Sequence, residues 1–516
     1  MSPTTNALCL FLGTTLCLLG ASDARANNIA VSAGTLTANS GSHVNVRFSI
    51  SWENSWRNSS TNAWDAAWVF VKYKDLTTGL WQHARLGDQA DHLSGTGTPA
   101  TITNGLLSPS GPFDAATNWG VGVFIHRSAD GSGTFSSTDV ELRWNYAQNG
   151  ISYTDIDEVK VFAIEMVHIA EGPFFVGSGG TENGRFKDGT TNDPFLITSE
   201  DALSVANVPG SLWAEPGSSM QTQTLPASTP KGFKAFYMMK YEVTQQAYVD
   251  FLNTLTRTQQ DTRVASVLAP YVTATLDRYV MLGTSFSLFN NGIRCDQQLT
   301  ADVPITFYCD LNGNDIGGEA NDGQWLACNY LNFSDAAAYL DWSGLRLMSE
   351  LEYEKAARGP LLPVANEFAW GNTTFTPGAN SAFPNSGAID ESAIPVGANV
   401  SLGGTPGVRR VGVFATGSSG RVEAGASYYG VMELSGNVYE PTARVGGSVA
   451  YPGNLGDGSL NAAGDSNTPG VILGVGYFAS HRGGSIGFNA DLSRISGRNV
   501  LQGVARDRYY GARGVR

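Results

Sequence analysis

The chain has 516 residues, a formal net charge of −14, 15% charged residues and 61 glycines. An acidic chain without a basic run lacks the positive surface that contacts to nucleic-acid phosphates require, so nucleic-acid-binding proteins are excluded. The length allows two or three domains, and abundant glycine with low charge favours a loop-rich protein that contains β structure.

The N-terminus predicts a secretory signal peptide over residues 1–26. The apolar run at 7–21 is too short to span a bilayer, and Ala24-Arg25-Ala26 forms an A-x-A cleavage site. No later segment is long and apolar enough to predict a membrane span. We therefore expect a secreted, periplasmic or cell-surface protein without a transmembrane segment.

Residues 27–164 predict an all-β domain. Runs of alternating or β-branched residues are separated by clusters of Gly, Ser, Asn and Asp, which is typical of strands joined by turns. The natural interpretation is a β-sandwich whose role is adhesion, packing or presentation. The predicted strands lie at 44–50, 67–73, 119–125 and 140–144. Its histidines lack the spacing of metal ligands; they are His43, His83, His92 and His126.

A second unit begins at Glu165, where a strand leads into a glycine-rich turn. Residues 236–244 predict another strand, which runs into a helix capped by Thr244. The apolar face of that helix consists of Tyr248, Phe251, Leu252 and Leu255.

Residues 256–330 predict an irregular insertion that carries all the cysteines of the mature chain, Cys295, Cys309 and Cys328. These residues allow one disulfide, most simply Cys295–Cys309, and leave one thiol over. The stretch 310–315 spaces oxygen side chains like a calcium loop, but it lacks the glycine and the final glutamate of an EF-hand. An ion site and an Asx-rich turn therefore both remain open.

Two helices follow the insertion. Ser334 is expected to cap a helix that ends at Trp342. Ser349 and Glu352 form a capping box for the next helix, which Gly359 terminates. Glu354 and Arg358 lie four residues apart, in the favourable order for an ion pair. Taken alone, this pattern is typical of a well-capped surface helix.

Sequence strings between Glu165 and Arg516 form one ordered set. They are EMVHIAEGPFFVGS at 165–178, KYEVTQQAYVDFL at 240–252, RLMSELEYEKAARG at 346–359, EFAWGN at 367–372, YGVMELSGNVYE at 429–440, RGGS at 482–485 and GARGVR at 511–516. In this order they resemble the motifs of the formylglycine-generating enzyme, or sulfatase-modifying factor, family. The resemblance implies that residues 165–516 form that family's α+β variant of the C-type lectin fold.

The resemblance also implies a chemistry that this chain lacks the residues to perform. The family oxidises a substrate cysteine with copper and molecular oxygen, and it needs two cysteines near the C-terminus because thiolates bind Cu(I) tightly. No cysteine follows Cys328, and Ala490 and Ile495 occupy the pair's positions. Copper is therefore not expected, and we predict that the oxidase activity is lost.

A related branch of the fold contains iron-dependent sulfoxide synthases of the ergothioneine type. Those proteins resemble this domain fused to a helical domain that donates histidines. Beyond residue 165 this chain has only His168 and His481, which make a poor iron site.

Structural calcium is the cofactor that the resemblance does imply. The family's first site corresponds to the side chains of Glu433 and Glu440 and the carbonyls of Gly436 and Val438. Oxygen ligands of this kind suit a hard cation. Asn380 and Ser381 match part of a second calcium site, whose remainder falls in a divergent loop.

The segment 485–513 is the part in which the family binds its substrate. Mixed Tyr, Arg, Asn and Asp side chains on loops are typical of a recognition surface. Alternatively, Arg494 and Arg498 pair with internal carboxylates and fix the loops. The predicted ligand-binding residues are Phe488, Asn489, Asp491, Arg494, Arg498 and Tyr509.

The first hypothesis is therefore an exported binding or structural protein that recognises an unknown protein, peptide or glycan. It joins a β-sandwich to a calcium-stabilised sulfatase-modifying-factor-like domain that is inactive as an oxidase. The second is an enzyme with altered chemistry in the same cleft. The third is a subunit that assembles with copies of itself into a surface layer or filament.

Overall fold

The computed structural model describes residues 28–215, 220–265, 274–275, 279–284, 286–295, 298–300, 302–404, 406–447, 449–471, 479–498 and 505–516. The predicted signal peptide at 1–26 lies outside the described residues. Within the described ranges, the protein is rich in short strands and has few helices.

The first ten strands lie before residue 170. They are β1 (Ala30–Val31), β2 (Thr35–Thr37), β3 (Val44–Asn58), β4 (Ala63–Asp75), β5 (Trp81–His83), β6 (Thr96–Gly97), β7 (Ala100–Leu106), β8 (Gly120–Arg127), β9 (Gly131–Trp144) and β10 (Ile156–Ile169). All four strands predicted before residue 150 are present, and Val44, Val46, Phe48 and Ile50 are buried as their alternation predicts.

The later strands are shorter. They are β11 (Phe174–Val176), β12 (Phe186–Asp188), β13 (Phe195–Ile197), β14 (Leu203–Val205), β15 (Leu212–Ala214), β16 (Gln223–Leu225), β17 (Phe236–Met239), β18 (Ala274–Thr275), β19 (Ile293–Cys295), β20 (Gln298–Leu299), β21 (Phe307–Cys309), β22 (Arg346–Ser349), β23 (Glu440–Ala443), β24 (Ala479–Arg482) and β25 (Gly514–Val515). The helices are α1 (Gln245–Leu252), α2 (Arg257–Arg263), α3 (Phe333–Trp342) and α4 (Glu350–Arg358).

One large sheet contains strands from both the N-terminal and the C-terminal parts of the chain. Its strand order is β24-β23-β22-β25-β17-β10-β4-β3-β9-β6. Strand β10 pairs with β4 from Ile156 to Val167 and with β17 from Met166 to Ile169. The predicted boundary at 164/165 therefore falls inside a strand, and the division into two domains stays a prediction.

Strand β4 is buried on both faces, which explains its nearly continuous apolar sequence. On one face, Val69 and Val71 pack into a cluster formed with β3, β8 and β9. On the other face, Trp68 and Phe70 pack into a second cluster that includes Phe251 of α1. Because this second cluster contains side chains of β4, β8, α1 and α3, these strands and helices share one core.

Two details of the helices differ from the sequence predictions. Helix α3 begins one residue before Ser334, and its cap is Asn332, whose side chain accepts a hydrogen bond from the Asp335 N–H. Helix α2 lies inside the segment predicted to be irregular, and Thr256 and Gln259 form its capping box. The capping-box pattern of Thr256 and Gln259 was the signal for α2. Helix α1 is confirmed, with Thr244 as its cap.

The described residues contain no helix that is both long and apolar enough to cross a bilayer.

Candidate functional site

Helix α4 is an interior element, so the prediction of a surface helix is wrong. Its capping box and the Glu354–Arg358 ion pair, at 3.2 Å, are confirmed. Every residue of the helix is nevertheless buried, including its charged side chains. Glu354 also accepts a hydrogen bond from Arg482 at 2.5 Å. The charges of α4 are therefore compensated by partners that come from distant parts of the chain.

Arg498 is anchored to the start of α4. Its guanidinium donates two hydrogen bonds to Glu350, at 2.9 and 2.6 Å, and stacks on Phe186 at 3.8 Å. Burial alone would raise the pKa of Glu350, but the charge of Arg498 lowers it below its ordinary value. Arg498 is 4% exposed, so it lies in the interior and not on the surface that a solvent-borne ligand contacts.

The other predicted ligand-binding residues lie on or close to the surface. Asn489 and Asp491 are exposed, and Phe488, Arg494 and Tyr509 are partly buried. The rings of Phe488 and Tyr509 pack edge to face, with centroids 5.0 Å apart. Arg494 pairs with Asp491 at 3.2 Å, and it also donates to the carbonyl of Asn366. The structure therefore brings Phe488 and Tyr509 together, as well as Asp491 and Arg494.

The backbone of the segment 486–497, which carries most of these residues, is anchored by hydrogen bonds from other parts of the chain. The Phe488 carbonyl accepts a hydrogen bond from the Gly403 N–H at 2.8 Å, and the Ile486 carbonyl accepts one from Gly404 at 3.1 Å. The side chain of Arg482 donates to the Gly497 carbonyl at 2.6 Å. The segment is therefore a preformed surface, and binding to it requires little ordering of the backbone.

The residues matched to the first calcium site form one tight turn. Glu433, Gly436 and Asn437 have left-handed backbone, with φ of 54°, 102° and 60°. A Cβ atom at Gly436 would lie 2.6 Å from the Ser401 carbonyl oxygen, so only glycine fits there. Along the sequence of this turn, Glu433 precedes Gly436 and Val438, and Glu440 follows them.

Glu242 holds this turn from its buried side, and the sequence analysis gave it no role. Its carboxylate accepts hydrogen bonds from the Asn437 amide at 2.5 Å and the Val438 N–H at 3.1 Å. Burial and the nearby Glu433 carboxylate raise the pKa of Glu242 well above its ordinary value. Its place as the acidic residue of the KYEVT motif at 240–244 was the sequence feature that could have indicated a role for Glu242.

The turn carries buried negative charge that is only partly compensated. One oxygen of Glu433 accepts the Gly412 N–H at 2.7 Å, and one oxygen of Glu440 accepts Arg513 at 2.6 Å. The second oxygen of each carboxylate, Oε2, is buried without a hydrogen-bond partner. Burial raises the pKa of both carboxyls to about 7, because nothing near them fully stabilises the charge.

These residues fit a hard cation. Two buried carboxylate oxygens without donors, in the same turn as two backbone carbonyls, are the kind of ligand that Ca²⁺ prefers. Across the described ranges, no group of three or more His, Cys, Asp or Glu side chains is arranged to hold a metal ion. A calcium ion at this turn would therefore depend on the carbonyls of Gly436 and Val438 as well as on Glu433 and Glu440.

One of the residues matched to the second calcium site already has a positively charged partner. The carbonyl of Ser381, beside Asn380, accepts a hydrogen bond from Arg409 at 2.9 Å. Arg409 lies 3.5 Å from Glu391 and stacks on Phe383 at 3.9 Å. A guanidinium therefore contacts the Ser381 carbonyl, and a second calcium ion at Asn380 and Ser381 stays a prediction.

The 310–315 stretch is an Asx-type turn. The Asp310 carboxylate accepts hydrogen bonds from the N–H groups of Gly313, Asn314 and Asp315, and it pairs with Arg294 at 2.6 Å. These donors use the oxygens that an ion would need, so the structure favours the turn over the ion site.

The predicted disulfide between Cys295 and Cys309 is wrong. Cys295 lies opposite Phe307 and Cys309 lies opposite Ile293, so the two cysteines are diagonal neighbours on β19 and β21. Diagonal side chains lie about 7 Å apart, which exceeds the reach of a disulfide. Cys328 is buried too, and none of the three is in a disulfide.

Ala490 and Ile495, at the expected positions of the copper-binding pair, pack into the apolar cluster beside α4. Behind the exposed segment, His481 stacks on Tyr510 with ring centroids 4.3 Å apart, and Tyr439 lies 5.7 Å from His481. Neither nitrogen of His481 has a hydrogen-bond partner, nor does the Tyr439 hydroxyl. Burial lowers the pKa of His481 to about 3, so its ring is neutral at physiological pH.

A comparison with known protein families matches residues 154–516 to the sulfatase-modifying factor enzyme 1-like domain. This match covers well over half of the chain. The chain belongs to the sulfatase-modifying factor enzyme 1-like family. The resemblance read from the sequence motifs is thereby confirmed, and the matched region begins two residues before β10.

One curated relative of this family member is hercynine oxygenase of Mycolicibacterium smegmatis. The two sequences are 30% identical over 115 residues, which is 22% of this chain and 21% of hercynine oxygenase. The match therefore spans about a fifth of the length of that relative.

Two solved structures align with most of the chain. PvdO from Pseudomonas aeruginosa aligns with a TM-score of 0.32 and 18% identity, over 68% of this chain and 94% of PvdO. Treponema denticola variable protein 1 aligns with a TM-score of 0.29 and 13% identity, over 69% of this chain and 95% of that protein.

Proposed function

We propose that this chain is an exported binding protein whose sulfatase-modifying-factor-like domain is stabilised by calcium and inactive as an oxidase. The observation that carries this proposal is the surface formed by Phe488, Asn489, Asp491 and Tyr509. It combines exposed polar side chains with a packed aromatic pair on an anchored backbone. Recognition surfaces for proteins, peptides and glycans share this composition.

The proposed loss of oxidase activity rests on the positions of the cysteine thiols in the chain. Copper(I) in this family needs a pair of thiolates, and this chain has Ala490 and Ile495 at those positions. The cysteines that the structure describes, Cys295, Cys309 and Cys328, lie elsewhere and are buried, and burial raises the pKa of Cys309 and Cys328 well above that of a free thiol. A buried neutral thiol is a poor copper ligand.

Binding is tested by screening the purified chain against glycan and peptide arrays. We expect the double variant Phe488→Ala/Asp491→Ala to lose at least tenfold in affinity for any ligand found. The matched control, Phe286→Ala/Asp193→Ala, removes the same residue types at exposed positions elsewhere and should bind like the wild type. If both double variants lose affinity equally, or if neither loses affinity, recognition by this surface is contradicted.

The oxidase prediction has its own assay. The protein is incubated with copper, oxygen and a cysteine-containing sulfatase peptide, and the peptide is analysed by mass spectrometry. We expect an unchanged peptide thiol, and conversion to an aldehyde contradicts the proposal.

A second candidate function is an oxygenase with altered chemistry. It is favoured by the unpaired polar atoms of His481 and Tyr439, because buried polar groups without partners often mark functional positions. The similarity to hercynine oxygenase points in the same direction. Incubation with Fe(II), oxygen, hercynine and a thiol tests it, and a product absent from the His481→Phe variant would support it.

A further inference from the structure

A cluster of charged side chains joins the N-terminal strands to the family domain. Asp65 lies on β4, Glu165 on β10, and Lys240 directly after β17, and β10 pairs with both other strands. Glu165 is opposite Ala67, and its carbonyl accepts the Lys240 N–H at 2.9 Å. Because side chains alternate between faces along a strand, Asp65, Glu165 and Lys240 project from the same face of the sheet.

The three side chains are in direct contact and shielded from water. The Lys240 amine lies 3.0 Å from Glu165 Oε2 and 3.5 Å from Asp65 Oδ2. The exposed fractions of Asp65, Glu165 and Lys240 are 0%, 4% and 5%. The aromatic ring of Tyr241 also borders the amine, 5.4 Å away.

The Asp65 carboxyl group is fixed and polarised by donors on both of its oxygens. Its Oδ1 accepts hydrogen bonds from the Trp56 N–H at 2.9 Å and from the Ser55 hydroxyl at 3.0 Å. Its Oδ2 accepts one from the Trp52 indole N–H at 2.9 Å. Two donors on Oδ1 are what is needed to stabilise the negative oxygen of a tetrahedral intermediate at the Asp65 carbon.

We propose that Lys240 and Asp65 condense into an intramolecular isopeptide bond, with Glu165 as the proton carrier. The cluster supplies a nucleophilic amine, an immobilised carboxyl group with an oxyanion hole, and an acid–base group within hydrogen-bond reach of the amine. Such a bond would tie β4 covalently to the residue that follows β17.

The reaction needs no partner outside the cluster. Burial opposes the charge on Lys240, but Tyr241, Glu165 and Asp65 raise its pKa, so the amine starts as an ammonium group. It gives one proton to Glu165, and the amine then attacks the Asp65 carboxyl carbon. Glu165 passes this first proton to Oδ2, takes a second proton from the nitrogen of the new C–N bond and passes it to Oδ2 as well, and the bond from the Asp65 carbon to Oδ2 breaks. The products are an amide and one water molecule, and Glu165 ends in its starting state.

The electrostatics of the cluster favour condensation over a permanent ion pair. Two buried carboxyl groups face one ammonium group, so the two negative charges share a single positive partner. Burial raises the pKa of Glu165, so a full negative charge there is unfavourable. Forming the amide removes the charges of Lys240 and Asp65 together, whereas an ion pair must keep both of them desolvated.

Intact-mass spectrometry of the purified, folded wild-type chain tests the bond directly. We expect a mass lower by one water molecule than the mass calculated from the processed sequence. Proteolysis should then release one peptide pair joined through Lys240 and Asp65. A folded wild-type protein with the full calculated mass overturns the proposal, whatever the variants do.

Variants assign the roles within the cluster. Lys240→Arg keeps the positive charge and should show no water loss, and Asp65→Asn should lose one ammonia molecule in place of water. Glu165→Gln should remain unlinked, and a linked Glu165→Gln protein contradicts its role as proton carrier. The control is Lys74→Arg, which alters an ion pair with Asp157 that is about as close, at 3.1 Å, but partly exposed. Its mass should still be lower by one water molecule.

Discussion

At the scale of single residues, the buried arginines of this protein act as structural anchors. Arg498 illustrates this, since it pairs with Glu350 in the interior while its neighbours Asn489 and Asp491 face solvent. Removing one partner of a buried pair leaves the other charge desolvated and unpaired.

We therefore expect Arg498→Ala to lower the free energy of unfolding by about 3–5 kcal/mol, measured by denaturant titration. The control is Lys74→Ala, which breaks the pair with Asp157, where the two side chains are 35% and 40% exposed. Because solvent screens that pair, its loss should cost less than about 1 kcal/mol. Similar costs for the two variants would contradict the anchoring role of Arg498.

The calcium proposal is also tested at single residues. A cation that binds only the folded state raises the free energy of unfolding, by about 2.7 kcal/mol when its concentration is 100 times the Kd. We expect a chelator to lower the Tm of the wild type, and Glu440→Gln to lower the Tm and to shrink the chelator effect. The control is Glu423→Gln at an exposed position, which should respond to chelator like the wild type. A wild-type Tm that does not change with chelator contradicts the proposal.

At the scale of elements, helix α4 has some features that depend on neighbouring residues and others that depend on residues far away in the sequence. Its cap at Ser349, its end at Gly359 and the Glu354–Arg358 pair depend on residues within one or two turns. These features could be predicted because the atoms concerned are neighbours in the sequence. Its burial could not be predicted, because Arg482 and Arg498, which neutralise its glutamates, lie more than a hundred residues away.

The cap of α4 gives a prediction at this scale. In Ser349→Ala the Glu352 N–H loses its acceptor, which lies 3.1 Å away. We expect a loss of about 1 kcal/mol in the free energy of unfolding, because helix caps contribute about that much. Ser418→Ala, in an exposed loop, should change stability by less than about 0.5 kcal/mol. A Ser349→Ala protein as stable as the wild type would contradict a stabilising role for the cap.

At the scale of the whole molecule, the N-terminal strands and the family domain are joined by contacts that neither part forms alone. Trp68 of β4 is fully buried, and its indole N–H donates to the Ser343 carbonyl at 2.8 Å. The Arg516 guanidinium stacks on the same ring at 4.5 Å. Phe70 of β4 packs edge to face against Trp342 at 5.2 Å.

We expect Trp68→Ala to cost about 3–5 kcal/mol, because it removes a large buried ring and leaves a cavity at the junction. If the shared core couples the two parts, the loss should appear in a single unfolding transition that both far-UV circular dichroism and tryptophan fluorescence report. The control, Trp81→Ala, removes a partly exposed indole of β5 and should cost much less. Two separate transitions in the wild type would show that the parts unfold independently.

The sequence by itself determined the family, the caps of α1 and α4 and the main strands, because these features depend on residues that lie close together in the chain. It also determined the absence of a C-terminal cysteine pair. Only the tertiary structure decided which charges are buried, since Glu350 pairs with Arg498, Asp65 pairs with Lys240, and Glu433 is buried by segments that are not its neighbours in the sequence. It likewise placed Arg409 against the carbonyl of Ser381. Long-range contacts of this kind leave no periodic pattern in a single sequence.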